Sequence, residues 1–338
     1  MFNKMLINKV NLINNLKQVK IKNQNSKICA MVKANAYGVG DRIVVSILND
    51  YVDFFGVACF FEAQKLKTLA KKPILICGAV EKEEIDIGFS YSCGSLEDVK
   101  TFVSANLPIK IHLKVNTGMN RYGFKNFSSF KKALKIINSS KLIIEGVFTH
   151  FATTDMFQEC QMKKFEKFIN LCKLYQENVI VHADNSFVNE KFNHNLEMVR
   201  IGFNLFNRNE NNFLPVAKIK SKIVEIQDVK KGELVGYNYR FVANKKMKVG
   251  IIPIGYADGF DLKYVGINLV LNNKRCKVLN ICMDCFMVDI TDCSVKKGDE
   301  FFILDEINSL KIYADYSNAS EYEVMTKFSF LRAEREIV

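Results

Sequence analysis

Several things are missing from this 338-residue chain, and each absence narrows the field. No apolar run approaches the roughly 18 residues that a membrane-spanning helix needs. The N-terminal stretch mixes Asn and Lys throughout and holds no signal-peptide core, so the cytoplasm is the expected compartment. The net charge is +12, but the lysines are spread among Asn, Asp and Glu. With no dense basic block and no basic–aromatic alternation, the charge reads as a solvated surface and not as a nucleic-acid footprint. There is no low-complexity tract and no internal repeat. A hydrophobic fraction of 49% describes a chain that is globular throughout and long enough for two domains. The ten cysteines are scattered, several inside apolar strand-like runs, as reduced cytosolic thiols are. Cys282-Met283-Asp284-Cys285 has C-x-x-C spacing, but no second pair or histidine cluster completes a zinc site, and no metal is expected.

What is present is an alternation. Leu6, Val10, Ile13, Leu16 and Val19 stand at helical spacing, predicting an amphipathic helix over residues 5–22. Strand-like runs follow at Ile28–Val32, Phe54–Cys59, Pro73–Ile76, Phe89–Ser92, Ile109–Val115, Glu145–Thr149, Val179–His182 and Met198–Ile201. Helical patterns fill the gaps, among them Phe61–Ala70, Ser95–Ala105, Phe127–Asn138 and Gln158–Gln176. Ser95, with Glu97 and Asp98 behind it, has the chemistry of an N-cap with an acidic first turn. Strands alternating with helices in this number predict a closed (β/α)8 TIM-type barrel over residues 1–214, with an open doubly wound sheet as the alternative. Beyond Leu214 helical stretches nearly vanish. Short β runs at Val216–Gln227, Lys248–Ile254, Asn268–Leu271, Lys274–Ile281, Phe286–Ile290 and Glu300–Leu304 are punctuated by Lys231-Gly232, Asn272-Asn273 and Lys297-Gly298. Residues 215–338 therefore read as a smaller, mostly antiparallel β domain.

The barrel reading makes a demand of its own, because chemistry in such barrels sits where the strands end and the loops begin. Lys33 ends the first strand, Lys114 and Arg121 flank the end of the fifth, His150 ends the sixth, His182 the seventh and Arg200 the eighth. Two of only four histidines fall at such ends. Lys33 stands in Met31-Val32-Lys33-Ala34-Asn35-Ala36-Tyr37-Gly38-Val39-Gly40. Burial at a strand end penalises an ammonium and leaves a nucleophilic amine. Such an amine forms a Schiff base with an aldehyde, above all pyridoxal 5'-phosphate. A lysine reaching past the strand into water is the ordinary alternative.

The Lys33 stretch resembles the pyridoxal-lysine motif of the alanine racemase family, and further segments carry the resemblance across nearly the whole chain. They are Lys114-Val-Asn-Thr-Gly-Met-Asn-Arg-Tyr-Gly-Phe124, Thr149-His-Phe-Ala-Thr-Thr-Asp155, His182-Ala-Asp-Asn-Ser186 with Val199-Arg-Ile-Gly202, Pro253-Ile-Gly-Tyr-Ala-Asp-Gly259, Ile281-Cys-Met-Asp284 and Glu321-Tyr-Glu-Val324. The resemblance implies an isomerase with a barrel and a β domain. It would interconvert L- and D-alanine and so supply D-alanine to the bacterial cell wall peptidoglycan.

Racemisation removes the α-proton from one face and returns one to the other, which calls for two bases on opposite faces of a planar cofactor–substrate imine. Lys33 serves one face, and by resemblance Tyr256 serves the other. A tyrosine pKa of about 10 is too high for a base at neutral pH, so Tyr256 needs help, and the resemblance puts His150 and Arg200 nearby. It also sets Arg200 against the cofactor's ring nitrogen. An arginine does not give up its proton, so that nitrogen stays unprotonated and the ring remains a weak electron sink. Tyr37, Ser186, the backbone around Gly202, and Tyr322 resemble the phosphate-holding groups, with Asn185 and His182 lining the same region. Arg121 resembles the arginine that contacts the substrate carboxylate, and Met283 would add its backbone N–H. Lys114 stands where many members carry a carbamylated lysine. The resemblance further implies a head-to-tail homodimer in which Lys33 and Tyr256 of one site come from different chains.

The chain departs from the family pattern in places. Asn116 and Asn120 replace the usual Asp and Gly around the arginine motif, and Asn280 stands where an entrance arginine is common, although Asp155 is retained. These changes bear on access and substrate breadth. The alternative functions are a broad-specificity amino-acid racemase of the same fold and a non-catalytic pyridoxal phosphate-binding protein. A decarboxylase on this barrel would want an acidic partner for the ring nitrogen, and Arg200 argues against it.

Overall fold

The computed structural model describes residues 2–152, 157–192, 194–207, 212–238 and 240–338. The chain forms two compact units, one of Asn15–Ala36 with Asp41–Leu205, the other of Met1–Asn14, Tyr37–Gly40 and Phe206–Val338.

A short strand, β1 (Lys4–Ile7), opens the chain. The strands of the first unit follow: β2 (Lys27–Met31), β3 (Phe54–Val57), β4 (Ile74–Ile76), β5 (Ser90–Cys93), β6 (Lys110–Lys114), β7 (Ile143–Phe148), β8 (Ile180–His182) and β9 (Met198–Ile201). They close in sequence order into a parallel barrel, β9 returning to pair with β2. Strands buried on both faces are mostly apolar, and the polar side chains they do carry must find partners inside. Phe54 to Val57 and Met198 to Ile201 are buried at every position. Each of the eight expected barrel strands is present, so the barrel and not the open sheet is what forms. Ser95 caps the helix Leu96–Ser104 as expected, its hydroxyl accepting the Asp98 N–H at 3.0 Å.

The N-terminal segment differs from expectation. Residues 5–22 are not one helix: β1 comes first, and the helix runs from Lys9 to Lys22. Met5 and Ile7 are buried while Lys4 and Leu6 are not, a period of two. β1 pairs with two neighbours, one of them the last strand of the chain.

The second unit carries β10 (Ala217–Lys222), β11 (Glu225–Val229), β12 (Met247–Ile252), β13 (Asn268–Leu271), β14 (Lys274–Ile281), β15 (Phe286–Asp289), β16 (Glu300–Leu304) and β17 (Glu334–Ile337). One sheet has the order β16-β10-β1-β17 and the other β11-β12-β15-β14-β13, and only the β1–β17 pair is parallel. The run expected as one strand over 216–227 is two, because the chain changes sheets between them. The Ile223 N–H donates to Asp299 O, whereas the Val224 N–H donates to Ile251 O. Two helices, Leu310–Ser317 and Glu321–Lys327, interrupt the expected β texture. The first buries Leu310, Tyr313, Ala314 and Ser317, one helical face, and ends on Asn318 in the left-handed conformation (φ 51°). Beneath it Phe260 stacks on Phe286 with ring centres 4.4 Å apart, and Tyr264 and Tyr313 close the aromatic core.

Candidate active site

Lys33 stands half-buried just past the end of β2. The next four residues, Ala34, Asn35, Ala36 and Tyr37, all have left-handed φ (51°, 54°, 51° and 57°). L-residues resist this conformation by about 1–2 kcal/mol each, asparagine least, so the surroundings must impose the turn. The Ala36 N–H donates to Val32 O at 2.8 Å and closes it. The Ala34 N–H donates to Glu62 Oε1 at 2.7 Å, and the same carboxylate takes the Ala58 N–H on Oε2 at 2.7 Å. Asn35 Oδ1 accepts the Asp41 N–H at 3.0 Å. Gly38 follows at φ 95°, where a Cβ would lie 2.4 Å from Met325 O. Strain held at one place by several contacts is a frequent property of functional sites.

Around the barrel mouth the strand ends bring the expected side chains together. Arg200, on β9, is buried, and its Nη1 donates to His182 Nδ1 at 2.6 Å. Its Nη2 reaches Thr149 O (2.9 Å), Ala183 O (3.0 Å) and His150 Nδ1 (3.3 Å). The guanidinium also lies over the Phe148 ring at 5.2 Å, and His182 stacks on the same ring at 4.6 Å. Burial first, and then the Arg200 charge, pushes His150 down to about 3 and holds His182 well below its ordinary range. Both imidazoles are therefore neutral near pH 7, and the cation of this cluster stays on Arg200.

Lys114, the last residue of β6, is buried, with Nζ donating to Cys77 O at 3.4 Å and lying over the Tyr122 ring at 4.8 Å. Burial pushes its amine down to about 8, with the charges of Arg121, Arg200 and Lys33 adding to the effect. Lys33 also acts on His150 and Cys77, so these groups share one electrostatic neighbourhood. Beside them a cavity of about 520 Å³ is lined by Cys77, Ser92, Lys114, Arg121 and Tyr122 among others. The loop carrying Arg121 is built on Asn116, whose Oδ1 accepts the N–H of Gly118 and of Asn120, each at 3.1 Å. Asn120 is left-handed (φ 55°), a conformation asparagine tolerates better than most residues. Both asparagine departures thus keep the turn. Asp155 lies outside the described residues.

Asn185 caps the helix Ser186–Lys191, accepting the N–H of Phe187 and Val188, and the Gly202 N–H donates to Ser186 Oγ at 3.1 Å. A hydroxyl and a backbone donor are thereby paired at the ends of β8 and β9. In the second unit Tyr37 packs 5.4 Å from Phe206 and 6.2 Å from Tyr322. Tyr256 opens a 3-10 turn and is 44% exposed. Its N–H donates to Cys282 O at 3.0 Å and the Ala257 N–H to Met283 O at 3.1 Å, which sets the Tyr256 and Met283 turns side by side. A Cβ on Gly255 would fall 2.2 Å from Met283 O, so only glycine permits that approach.

Sequence reasoning did not single out the residues that fasten this arrangement. Glu62 is one. Asp258 is another: its carboxylate takes the Gly255 N–H at 2.9 Å and a bidentate pair from Arg332 at 2.7 Å and 2.7 Å. Arg332 also reaches Asp284 at 2.9 Å, tying the Met283 turn to the Tyr256 turn. His112 and Glu145 extend the contacts of His182 into the barrel. Asn280 is fully buried and donates to Val235 O and Tyr237 O at 2.9 and 3.0 Å. Here it pins the chain.

A parallel barrel with Lys33, Lys114, His150 and Arg200 at its strand ends, followed by an antiparallel unit that presents a half-exposed tyrosine, defines a barrel-plus-β-domain enzyme class. The family models described as alanine racemase N-terminal domain and alanine racemase C-terminal domain match residues 7–209 and 216–337. The chain belongs to the alanine racemase family. It is 34% identical over 349 aligned positions to the alanine racemase of Borreliella burgdorferi strain ZS7, covering 95% of this chain and 93% of that protein. The solved structure of Clostridium difficile 630 alanine racemase superposes with a TM-score of 0.90 at 29% identity, covering all of this chain and 96% of that one. That of the Bacillus anthracis enzyme with bound L-Ala-P gives 0.92 at 25% identity, covering all of this chain and 95% of the other.

Proposed function

We propose that this protein is a pyridoxal 5'-phosphate-dependent alanine racemase, an isomerase that interconverts L- and D-alanine with Lys33 and Tyr256 as its two bases. The observation that carries the reading is the buried Arg200, pinned by His182, His150 and two carbonyls in the electrostatic neighbourhood of Lys33, in a chain of this family. The donor set fits the cofactor. A guanidinium that cannot lose its proton suits an unprotonated ring nitrogen, and the Ser186 hydroxyl paired with the Gly202 N–H suits a phosphate. Lys33, Tyr37, His150, Asn185, Ser186, Arg200, Gly202 and Tyr322 would hold the cofactor. Bound there, it withdraws electrons from the substrate α-carbon and acidifies the α-proton. Lys33 takes or returns that proton on one face and Tyr256 on the other, while Arg121 and the Met283 N–H orient the substrate carboxylate.

Lys114 is proposed to be carbamylated. An amine pushed down to about 8 holds far more of the free base that attacks carbon dioxide near neutral pH than an ordinary lysine does. A native mass carrying an acid-labile increment supports this, and an unmodified mass in bicarbonate opposes it. In the proposed division the barrel, 1–214, carries Lys33, and the β domain, 215–338, carries Tyr256. A homodimer sharing its sites, a cytoplasmic location and a role in peptidoglycan supply complete the reading. Among the described residues no helix is long and apolar enough to cross a membrane.

The test is α-proton exchange in deuterated water, followed by NMR, with L-alanine and then L-serine, L-lysine and L-arginine. Formation of D-alanine, lost in Lys33→Ala and made one-sided by Tyr256→Phe, establishes the two-base racemase. Equal or faster exchange of the larger substrates would place the protein in the broad-specificity class. Absence of exchange with cofactor bound at Lys33 would leave a binding protein.

A further inference from the structure

Behind Arg200 the hydrogen bonds continue through the barrel interior, away from the mouth. His182 Nε2 lies 2.8 Å from His112 Nδ1, and His112 Nε2 lies 3.0 Å from Glu145 Oε2. Both histidines are fully buried. Glu145, near the start of β7, also receives the Ser90 hydroxyl, and Lys110 pairs with its other oxygen at 3.2 Å. The β6–β7 register sets His112 opposite Gly146, and a Cβ there would come within 2.3 Å of His112 Nδ1. The absent side chain at 146 makes room for the ring.

The two ends of this row dictate its protons. Arg200 only donates and an ionised carboxylate only accepts. His182 Nδ1 must then be bare to accept from Arg200, which puts the His182 proton on Nε2. That proton is donated to a bare His112 Nδ1, and the His112 proton sits on Nε2 and goes to Glu145. No other assignment for two neutral imidazoles satisfies every contact. Neutrality follows from burial, which lowers the affinity of both rings for a second proton. Hydrogen bonds from His112 and Ser90, against the effect of burial, hold Glu145 ionised.

We propose that Glu145 and His112 are positioning residues for Arg200, and that their row of one-way hydrogen bonds fixes the His182 tautomer and, through it, the guanidinium. Neither touches the barrel mouth, and the row carries orientation, not a proton, since Arg200 has none to release. Its bearing on catalysis rests on the role of Arg200 in the proposed function; its bearing on Arg200 geometry does not.

The experiment uses the full-length, cofactor-loaded protein with isotope-labelled histidine and arginine side chains, read by nitrogen NMR. Four variants are compared: Glu145→Leu and His112→Phe, which break the row, and Glu145→Gln and His112→Gln, whose amides can keep its polarity. In the parent, His112 and His182 should both show the Nε2-protonated tautomer, and the Arg200 guanidinium should give separate, slowly exchanging signals. Glu145→Leu and His112→Phe should mix the His182 tautomers and merge the Arg200 signals. They should also lower kcat for alanine about tenfold or more, the usual scale for groups that orient a functional ligand, with KM little changed. The two Gln variants should restore both signatures. Parent-like Arg200 and His182 signals in Glu145→Leu, at the solvent-facing end of the row, overturn the proposal. So does an Nδ1-protonated His182 in the parent. Because the NMR signals do not depend on turnover, an inactive parent would count against the proposed reaction and leave this test intact.

Discussion

Replacing Glu62 by Gln tests whether the left-handed turn after Lys33 is imposed from outside. The carboxylate holds two backbone N–H groups, Ala34 at 2.7 Å and Ala58 at 2.7 Å. Hydrogen bonds to a charged group contribute about 1.5–3 kcal/mol each, neutral ones about 0.5–1.5. A glutamine can accept from one N–H through its carbonyl oxygen, but its NH2 then faces the other N–H, donor against donor. One charge-assisted bond is lost and the second becomes neutral. Since Glu62 is half-buried and water can partly replace what is lost, a net cost of about 1–2 kcal/mol is expected. The turn itself, with left-handed φ at four consecutive residues, stores strain on the scale of a few kcal/mol. The clamp and the strain are thus comparable, and weakening one should let the other relax. Amide hydrogen exchange at Ala34 and Ala36 should speed up by about tenfold, the equivalent of about 1.4 kcal/mol. Urea unfolding should show a loss of the same size. Glu62→Asp, too short to span both amides, should behave alike. If exchange at Ala34 and overall stability both match the parent in Glu62→Gln, the carboxylate is not what holds the turn and the argument fails.

Three further outcomes follow, two from buried groups of the barrel and one from an exposed glycine of the second unit. Gly146→Ala should cost about 2–4 kcal/mol in urea unfolding, because the new methyl falls 2.3 Å from His112 Nδ1 and 2.7 Å from Ile180 O and displaces a buried, hydrogen-bonded ring. Gly298→Ala, with open space around it but a φ of 93°, should cost only the backbone strain, about 1 kcal/mol. Acid should destabilise the protein early. His112, His150 and His182 all have folded pKa values below the ordinary one. Below about pH 6.5 the unfolded chain therefore binds protons the folded state refuses, and stability present above that pH is lost as it falls. At about 1.4 kcal/mol per group and pH unit, the unfolding free energy should drop by up to roughly 4 kcal/mol between pH 7.5 and 5.5; a flat profile would mean that the three rings ionise in place.

The barrel was legible because its strands announce themselves: Phe54 to Val57 and Ile74 to Ile76 carry no polar side chain, and capped helices separate them. What was misread has a common cause. β1 is four residues long, and its Met5–Ile7 alternation sits inside a longer run that also satisfies helical spacing. It becomes a strand only because β10 and β17, more than two hundred residues away, supply partners on both sides. The helix Leu310–Ser317 went unseen because its buried face includes Ala314 and Ser317, residues that carry little hydrophobic signal.

The site follows the same division between chemistry that a motif displays and support that only packing reveals. Lys33, Lys114, His150 and Arg200 could be placed at strand ends from the sequence. Glu62, Asp258 and Glu145 could not, since a carboxylate that serves backbone amides, an arginine or a buried imidazole looks like any surface acid until its partner is known. His112 left one usable trace. In Ile111-His112-Leu113-Lys114, strand alternation puts His112 on the same face as Lys114, so once Lys114 is assigned to the interior the histidine must be interior too. A buried histidine needs partners for both nitrogens, and on a closed barrel those partners come from neighbouring strands. The supply of partners is also why the asparagine departures are compatible with the site. Asn116 keeps the oxygen that receives the Gly118 and Asn120 amides, and Asn120 accepts the left-handed backbone that glycine would otherwise provide. The loop that presents Arg121 depends on those two properties, and both survive the change of residue.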